Sequence, residues 1–508
     1  MAREGRRARR RPFSGPILRT GVAVAAAFAV LAAGAGYWQV VDAQRLSEAP
    51  DNPLVVAAAR HALRGDILDR NGNWLARTRR DQNGETFRVY RDPVASPVVG
   101  YFSRRYGTVG LEKTYDAELR GITRADAVAD VLKKFDPNPA DPLKLQLSLD
   151  LRLQRAAVRQ LGSQRGAVVM LDPTTGEILA LASTPTYDAS VIAGQDAGAA
   201  DTAFAALRND GSQPLLPRAT LGRYTPGSVF KIVTAIAGLD AGAIGPDTTF
   251  AQQPAAEKTG LLVSGFRIRD GHHPQTGNRE LDFADAVEVS CNIWFALAGL
   301  AMGGQTLMTG AQRLGFGSPI PFDLPTAVSQ VTGGKGRLPG GFEGNAELAS
   351  ASFGQGQTFV TPLQMALVAS AVANRGVLMR PRLVTALTGE KSGTRTLGPE
   401  VMAQVTSPQN ATVIAGAMQR AVEGDLGRLF TTGAKVPGVP TAGKSGTAEL
   451  GGTGEPHSWF IGFAPVDHPR VAIAVLVERG GRGAEAAAPI AGRMMKQYFD
   501  LYGGGSGG

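Results

Sequence analysis

A serine hydroxyl becomes an acyl-transfer nucleophile only when a base sits beside it and hydrogen-bond donors wait where the oxyanion will form. Three short runs in this 508-residue chain could supply those parts. Ser228-Val229-Phe230-Lys231 follows Thr225-Pro226-Gly227, a helix-start signal that would set serine and lysine one turn apart on one face. A lysine with its usual pKa of ~10.4 is neutral about once in 2500 at neutral pH, so service as a base needs that value lowered by roughly 3, or about 4 kcal/mol. Burial and a nearby second cation both act in that direction.

Lys444-Ser445-Gly446-Thr447 offers that second cation. Its ammonium and hydroxyls can also grip a substrate carboxylate, while Gly446 lets an extended substrate approach the backbone. Between the two runs, Ser290-Cys291-Asn292 provides a hydroxyl that can relay a proton and a carboxamide that can hold a peptide amide. Each run alone is weak; the ordered set carries the reading.

Other candidates have plainer explanations. Lys391-Ser392-Gly393-Thr394 repeats the third run, but lies between Thr388-Gly389-Glu390 and Arg395-Thr396, which reads as a turn between strands. Cys291, the single cysteine, has no histidine locally placed to activate it and reads as a small buried residue. His272-His273 could be joined with His457 or His468, yet adjacent histidines point to different sides and no zinc-ligand spacing is present. A solvated loop is expected there, with no metal and no cofactor.

The elements that must position these residues follow from apolar pattern. Runs 166–172 and 177–182, joined by Pro173-Thr174-Thr175-Gly176, form one hairpin, and 459–464 with 471–477 form another. The second hairpin follows Lys444 and places it on or beside an edge strand facing a cleft. Helical periodicity covers 228–239, 284–301, 362–373, 411–422 and 487–502, whereas 192–210 and 317–344 read as loops. Strands at both ends with helices between predict an α+β fold whose central antiparallel sheet is flanked by helices.

Upstream, residues 51–143 alternate polar turns with short β-like runs such as 86–90, and the Pro- and Asp-rich stretch 136–142 reads as a domain boundary. The formal charge is +9, of which Arg3, Arg6, Arg7, Arg9, Arg10, Arg11 and Arg19 against Glu4 put +6 in the first twenty residues. The remainder is nearly neutral, which argues against a nucleic-acid-binding surface. Residues 21–41 are uncharged and apolar, and at ~1.5 Å per residue reach about 30 Å, enough to cross a bilayer core. Tyr37 and Trp38 suit the outer headgroup region, and the arginines suit the cytoplasmic side. Ala33-Gly34-Ala35 resembles a signal-cleavage site, but the apolar run continues past it. The organisation expected is a basic tail (1–20), a transmembrane helix (21–41), a β-rich pedestal (42–143), a catalytic domain (144–502) and a Gly/Ser tail (503–508).

The ordered trio of runs resembles that of the penicillin-binding and serine β-lactamase superfamily. Arg64-Gly65-Asp66-Ile67, Asp69-Arg70-Asn71-Gly72 and Gly110-Leu111-Glu112 are similar to pedestal motifs of its class B members, as are Asp172-Pro173, Gly176-Glu177 and Gly354-Gln355-Gly356-Gln357 before Thr361-Pro362 to theirs. The resemblance, spanning about 64–502, implies a peptidoglycan D,D-transpeptidase with a sheet of about five strands. Ser228 would be the nucleophile, Lys231 its base, Ser290 a proton relay and Asn292 a substrate anchor. Lys444, Ser445, Gly446 and Thr447 would grip carboxylate and backbone, and the N–H groups of Ser228 and Thr447 would form the oxyanion hole. It also implies stem peptides and β-lactams as ligands and a polytopic SEDS-type glycosyltransferase as partner. Pro217-Arg218-Ala219 departs from the Asn-Arg-Ala frequent in relatives. A D,D-carboxypeptidase differs only in the acceptor, and a pedestal scaffold activating the glycosyltransferase would leave the trio vestigial. About a hundred residues between anchor and catalytic domain leave no room for a glycosyltransferase domain.

Overall fold

The computed structural model describes residues 14–37, 63–122, 141–270, 273–426, 431–451 and 454–503. The arginine cluster up to Arg11, Trp38, His272, the boundary stretch up to 140 and the tail from 504 lie outside the described residues. The chain divides into two units, 1–62 with 80–86, and 63–79 with 87–508. In the first, helix α1 (Ser14–Gly36) contains an apolar window, Leu18–Gly36, of mean hydropathy 1.7. It is long and apolar enough to cross a membrane, and its side chains from Leu18 to Ala35 are exposed.

From residue 63 the chain continues with β1 (Ile67–Leu68), β2 (Trp74–Arg80), β3 (Thr86–Tyr90) and β4 (Lys144–Leu147), then α2 (Leu151–Leu161) and the hairpin β5 (Gly166–Leu171) and β6 (Ile178–Thr184). A 3-10 turn, Gly227–Phe230, leads into α3 (Lys231–Asp240), followed by the hairpin β7 (Leu261–Val263) and β8 (Phe266–Ile268). Next come α4 (Phe283–Glu288), α5 (Asn292–Met302), α6 (Pro362–Ala373), β9 (Val384–Gly389), β10 (Gly393–Thr396) and α7 (Pro408–Glu423). The chain closes with β11 (Ala442–Ala448), β12 (His457–Ala464), β13 (Val471–Val477) and α8 (Ala487–Tyr502).

The central sheet has five strands in the order β11-β12-β13-β5-β6, all antiparallel. Its inner strands read as unbroken apolar runs because both faces are covered. Val168, Met170, Ile473 and Val475 pack on one side with α2 and α8, while Val169, Leu171, Ala474 and Leu476 pack on the other with α6. That period-two partition fixes the register, since a slip of one residue would exchange the two faces. β11 lies at the edge, with Lys444 opposite Ile461 and Thr447 opposite Ser458.

Several expectations change in detail. Residues 284–301 form two helices, because Ser290 adopts φ 61° between them. That left-handed residue lets the Ser290 and Cys291 N–H groups close onto the carbonyls of Val287 and Ala286 and end α4. Within 192–210, residues Ala197–Asn209 are helical, started by the Asp196 carboxylate accepting the Ala199 N–H; their alanine content favours a helix that the absence of an apolar stripe concealed. The Lys391 copy is the turn joining β9 to β10, where Asp141 accepts the N–H groups of Glu390, Lys391 and Ser392.

A second sheet, ordered β10-β9-β4-β1-β2-β3, joins strands from both sides of residue 143. Two of the upstream motifs, Arg64-Gly65 and Gly110-Leu111-Glu112, meet in one buried network. Glu112 accepts Arg64 Nη2 at 2.8 Å and Arg88 Nε at 2.6 Å, with all three side chains buried, and Arg64 also pairs with Asp116. Gly110 has φ 64°, and a Cβ there would lie 2.7 Å from the Gly100 backbone, so the turn presenting Glu112 demands glycine. Replacing Glu112 by alanine leaves buried Arg88 without its carboxylate and Arg64 with Asp116 alone, and a loss of about 3–5 kcal/mol is expected. Urea denaturation of the ectodomain measures it, and a loss below about 1 kcal/mol would contradict a structural role for this network.

Candidate active site

Ser228 sits in the 3-10 turn before α3, and Lys231 opens the helix proper. The turn is held from two sides. Gly227 N–H donates to the Gly354 carbonyl at 2.9 Å, and Trp459 Nε1 to the Thr225 carbonyl at 3.0 Å. Gly227 has φ 57°, and a Cβ there would come within 2.7 Å of the Thr447 carbonyl, so this glycine brings the serine turn against β11.

The loop before the nucleophile, where Pro217 departs from the family pattern, is fixed by its neighbour. The N-cap Pro217 has no side-chain hydrogen bond to offer. Buried Arg218 instead donates Nε to Glu478 at 2.7 Å and its remaining nitrogens to the carbonyls of Gln213 and Ser212. Tyr224 Oη donates to the same carboxylate at 2.8 Å.

Ser228, Ser290, Asn292, Ser445 and Thr447 line one cleft of about 1120 Å³. The two lysines lie behind it, both fully buried. Lys231 Nζ donates to the Ser290 carbonyl at 2.5 Å, to Ser290 Oγ at 3.2 Å and to Asn292 Oδ1 at 2.8 Å. Lys444 Nζ donates to the same Ser290 Oγ at 2.7 Å and to the Ser445 carbonyl at 3.0 Å. Among the described residues no hydrogen bond joins Ser228 Oγ to Lys231. Ser445 and Thr447, two apart on β11, face the cleft together as a strand's alternation requires; Thr447 Oγ1 accepts the Gly483 N–H at 3.2 Å.

Burial lowers the Lys231 pKa to about 8, against the opposing pull of Asp270 and Cys291. Lys444 is driven well down by burial and then by the charge of Lys231. The Lys444 amine thus lies where the sequence reading places a second cation, and the two amines share one hydroxyl.

Asp270 was not legible as a site residue. Its carboxylate accepts the N–H groups of Asn292 and Ile293 at the start of α5 and holds a negative charge near Lys231. The Ser264-Gly265 turn between Leu261-Leu262-Val263 and Phe266-Arg267-Ile268 was the available signal, since a hairpin there would deliver Asp270 to the cleft. His273 also departs from expectation: it is buried rather than solvated. Its imidazole, the Cys291 thiol and the Glu257 carboxylate lie within 4.8 Å of one another and could together offer nitrogen, sulfur and oxygen to a metal ion. His457 instead accepts the Arg479 N–H, and His468 is exposed.

The penicillin-binding protein transpeptidase domain family matches residues 166–496, well over half of the chain. The chain belongs to this family. The penicillin-binding protein A dimerisation domain family matches residues 64–139. The peptidoglycan D,D-transpeptidase PbpA of Mycolicibacterium smegmatis is 35% identical over 492 residues, covering 93% of this chain and 96% of the relative. The ceftriaxone acyl-enzyme structure of Mycobacterium tuberculosis penicillin-binding protein A aligns with a TM-score of 0.76 at 30% identity, covering 86% and 98% of the two chains. Pseudomonas aeruginosa PBP2 aligns with a TM-score of 0.70 at 28% identity, covering 86% and 95%.

Cys291 Sγ donates to Glu257 at 3.3 Å and accepts the Trp294 N–H, and burial pushes its thiol pKa well up. Thiolate, not thiol, reacts with disulfide reagents. Less than about a tenth of the Cys291 thiol is expected to react with Ellman's reagent in the native protein within an hour, and all of it in denaturant. Rapid native labelling would mean an accessible, activated cysteine and would reopen thiol catalysis.

Proposed function

We propose that the protein is a membrane-anchored peptidoglycan D,D-transpeptidase that acylates Ser228 with a D-Ala-D-Ala stem peptide and passes the acyl group to an acceptor amine, cross-linking the wall. The observation that carries this reading is the convergence of Lys231 and Lys444 on Ser290 Oγ beside the cleft-facing Ser228.

Ser228 Oγ attacks the carbonyl of the penultimate D-Ala while its proton passes to neutral Lys231. The tetrahedral oxyanion lies between the N–H groups of Ser228 and Thr447, which the close approach at Gly227 brings into one region. Collapse breaks the peptide bond; the terminal D-Ala amine leaves with a proton relayed from Lys231 through Ser290 Oγ. An acceptor amine then attacks the ester, returns its proton through the same groups and regenerates Ser228. Asn292 and the β11 backbone hold the donor, and Ser445 and Thr447 hold its carboxylate, with Lys444 contributing charge from behind the cleft wall. Lys231 must turn from Ser290 towards Ser228 as substrate arrives, a tightening common in acid–base sites. The same cleft would take a β-lactam as an acyl-enzyme.

Water in place of the amine gives the carboxypeptidase alternative, and a pedestal scaffold activating a SEDS-type glycosyltransferase is compatible with catalysis. The family resemblance supports such a partner, a cytoplasmic N-terminus and an extracytoplasmic catalytic domain. It also supports the division into pedestal (42–143) and catalytic domain (144–502).

Intact-mass analysis after incubation with penicillin should show one adduct per chain that disappears in Ser228→Ala. Adduct retained in that variant would move the nucleophile elsewhere, and no adduct on folded wild type would favour the scaffold. The acylation rate should also report Lys231. Its folded pKa of about 8 lies below the ordinary 10.5, so the neutral base gains as pH rises through about 8. The second-order rate constant should increase about tenfold between about pH 7 and about pH 9, then level off. The same depression costs stability at neutral pH, a cost that fades from about 8 towards 10.5 as the unfolded lysine also loses its proton. A flat pH–rate profile across that window would remove Lys231 as the base.

A further inference from the structure

The hairpin formed by β7 and β8 overhangs the cleft and differs in character from the walls that hold the reacting groups. Phe266 is 55% exposed, and Phe266, Arg267 and Arg269 all line the cleft. Arg267 Nη1 donates to the Thr259 and Gly260 carbonyls, which ties that guanidinium back to its own hairpin. Arg269 is placed differently. Its carbonyl lies 3.5 Å from Asn292 Nδ2, and the next residue, Asp270, holds the N–H groups of Asn292 and Ile293. The main chain at 269 is therefore fixed against the asparagine that anchors the donor. Its guanidinium is exposed and, among the described residues, makes no ion pair or hydrogen bond. The Asp270 carboxylate, which also lines the cleft, is engaged by the N–H groups of Asn292 and Ile293 rather than by this guanidinium. Besides Arg267, Arg269 and Asp270, the charged side chains lining the cleft are Glu449 beyond the end of β11 and Arg482, which lies 4.0 Å from Glu485.

We propose that Arg269 and Phe266 form a specificity subsite for an acidic, aliphatic side chain on the donor stem peptide. A free carboxylate would pair with the guanidinium, whose planar fork matches it in a way a carboxamide cannot. The methylenes of that side chain would lie against the exposed face of Phe266. The inference rests on the transpeptidase reading and deepens it: the donor carries a free, not amidated, carboxyl on the residue preceding D-Ala-D-Ala. Arg269 touches no reacting atom and acts on selection alone.

The test uses the full chain in detergent and two synthetic donors that differ only in carboxylate versus carboxamide at that position. Acylation of Ser228 is followed by intact mass at low and high salt. Wild type should favour the acidic donor by about five- to tenfold in kcat/KM, the size of a partly exposed charge-assisted pair, and high salt should erode that preference. Arg269→Gln should abolish the preference by slowing the acidic donor alone, and Arg269→Lys should keep part of it. Penicillin should still label Ser228 in both variants, which shows that the cleft is folded. Equal rates for the two donors in wild type, or an equal loss on both donors in Arg269→Gln, would overturn the assignment and leave the transpeptidase reading intact. Absence of any Ser228 adduct in wild type, from penicillin as well as from both donors, would instead remove the reading on which the assignment stands.

Discussion

Two buried lysine amines converging on one serine hydroxyl are the constraint around which the site is organised. Charging both at once sets like charges against each other in a site where burial already penalises each, so both lysines lose basicity. The protein meets that cost with geometry fixed from three directions. Lys231 is set by a helix that is buried from its first residue, Lys444 by strand register against β12, and Ser290 by a left-handed turn between α4 and α5. Asp270, tied to the first N–H groups of α5, adds a negative charge that opposes the fall in basicity of both lysines. Loosening any one of these supports would let the lysines regain solvent and their ordinary basicity.

Support extends outward in layers. The strand carrying Lys444 is short in apolar residues of its own and is held by β12, whose Trp459 also fastens the turn before Ser228. Arg218 and Tyr224 converge on Glu478 at the end of β13. Nucleophile turn, edge strand and sheet are therefore cross-linked by polar contacts where apolar packing gives out.

What could be read from sequence follows from which signals are local. Residues 362–373 and 487–502 were legible as helices, and 166–172 with 177–182 as a hairpin, because apolar periodicity and turn chemistry are properties of short windows. β11, Ala442–Ala448, has no such pattern; its residue types exposed it, because they form a chemical set only when combined with Ser228 and Ser290. The two Lys-Ser-Gly-Thr copies show the limit: identical letters make a strand at 444 and a turn at 391, and the flanking sequence decides. Asp270 and the burial of His273 were hidden because their roles arise from contacts with residues some twenty positions away. The split at Ser290 was hidden because serine gives no warning of a positive φ.

The mixed sheet has a consequence for how such chains can be recombined. β4 is sandwiched between β1 and β9, so residues near 67 and near 387 are stitched through a strand beginning at 144. A crossover between relatives placed at residue 143 would leave one parent's β1 to pair with the other parent's β4 and β9. A compatible exchange has to carry 384–396 along with the amino-terminal strands, so the inheritable block is discontinuous in sequence although contiguous in space.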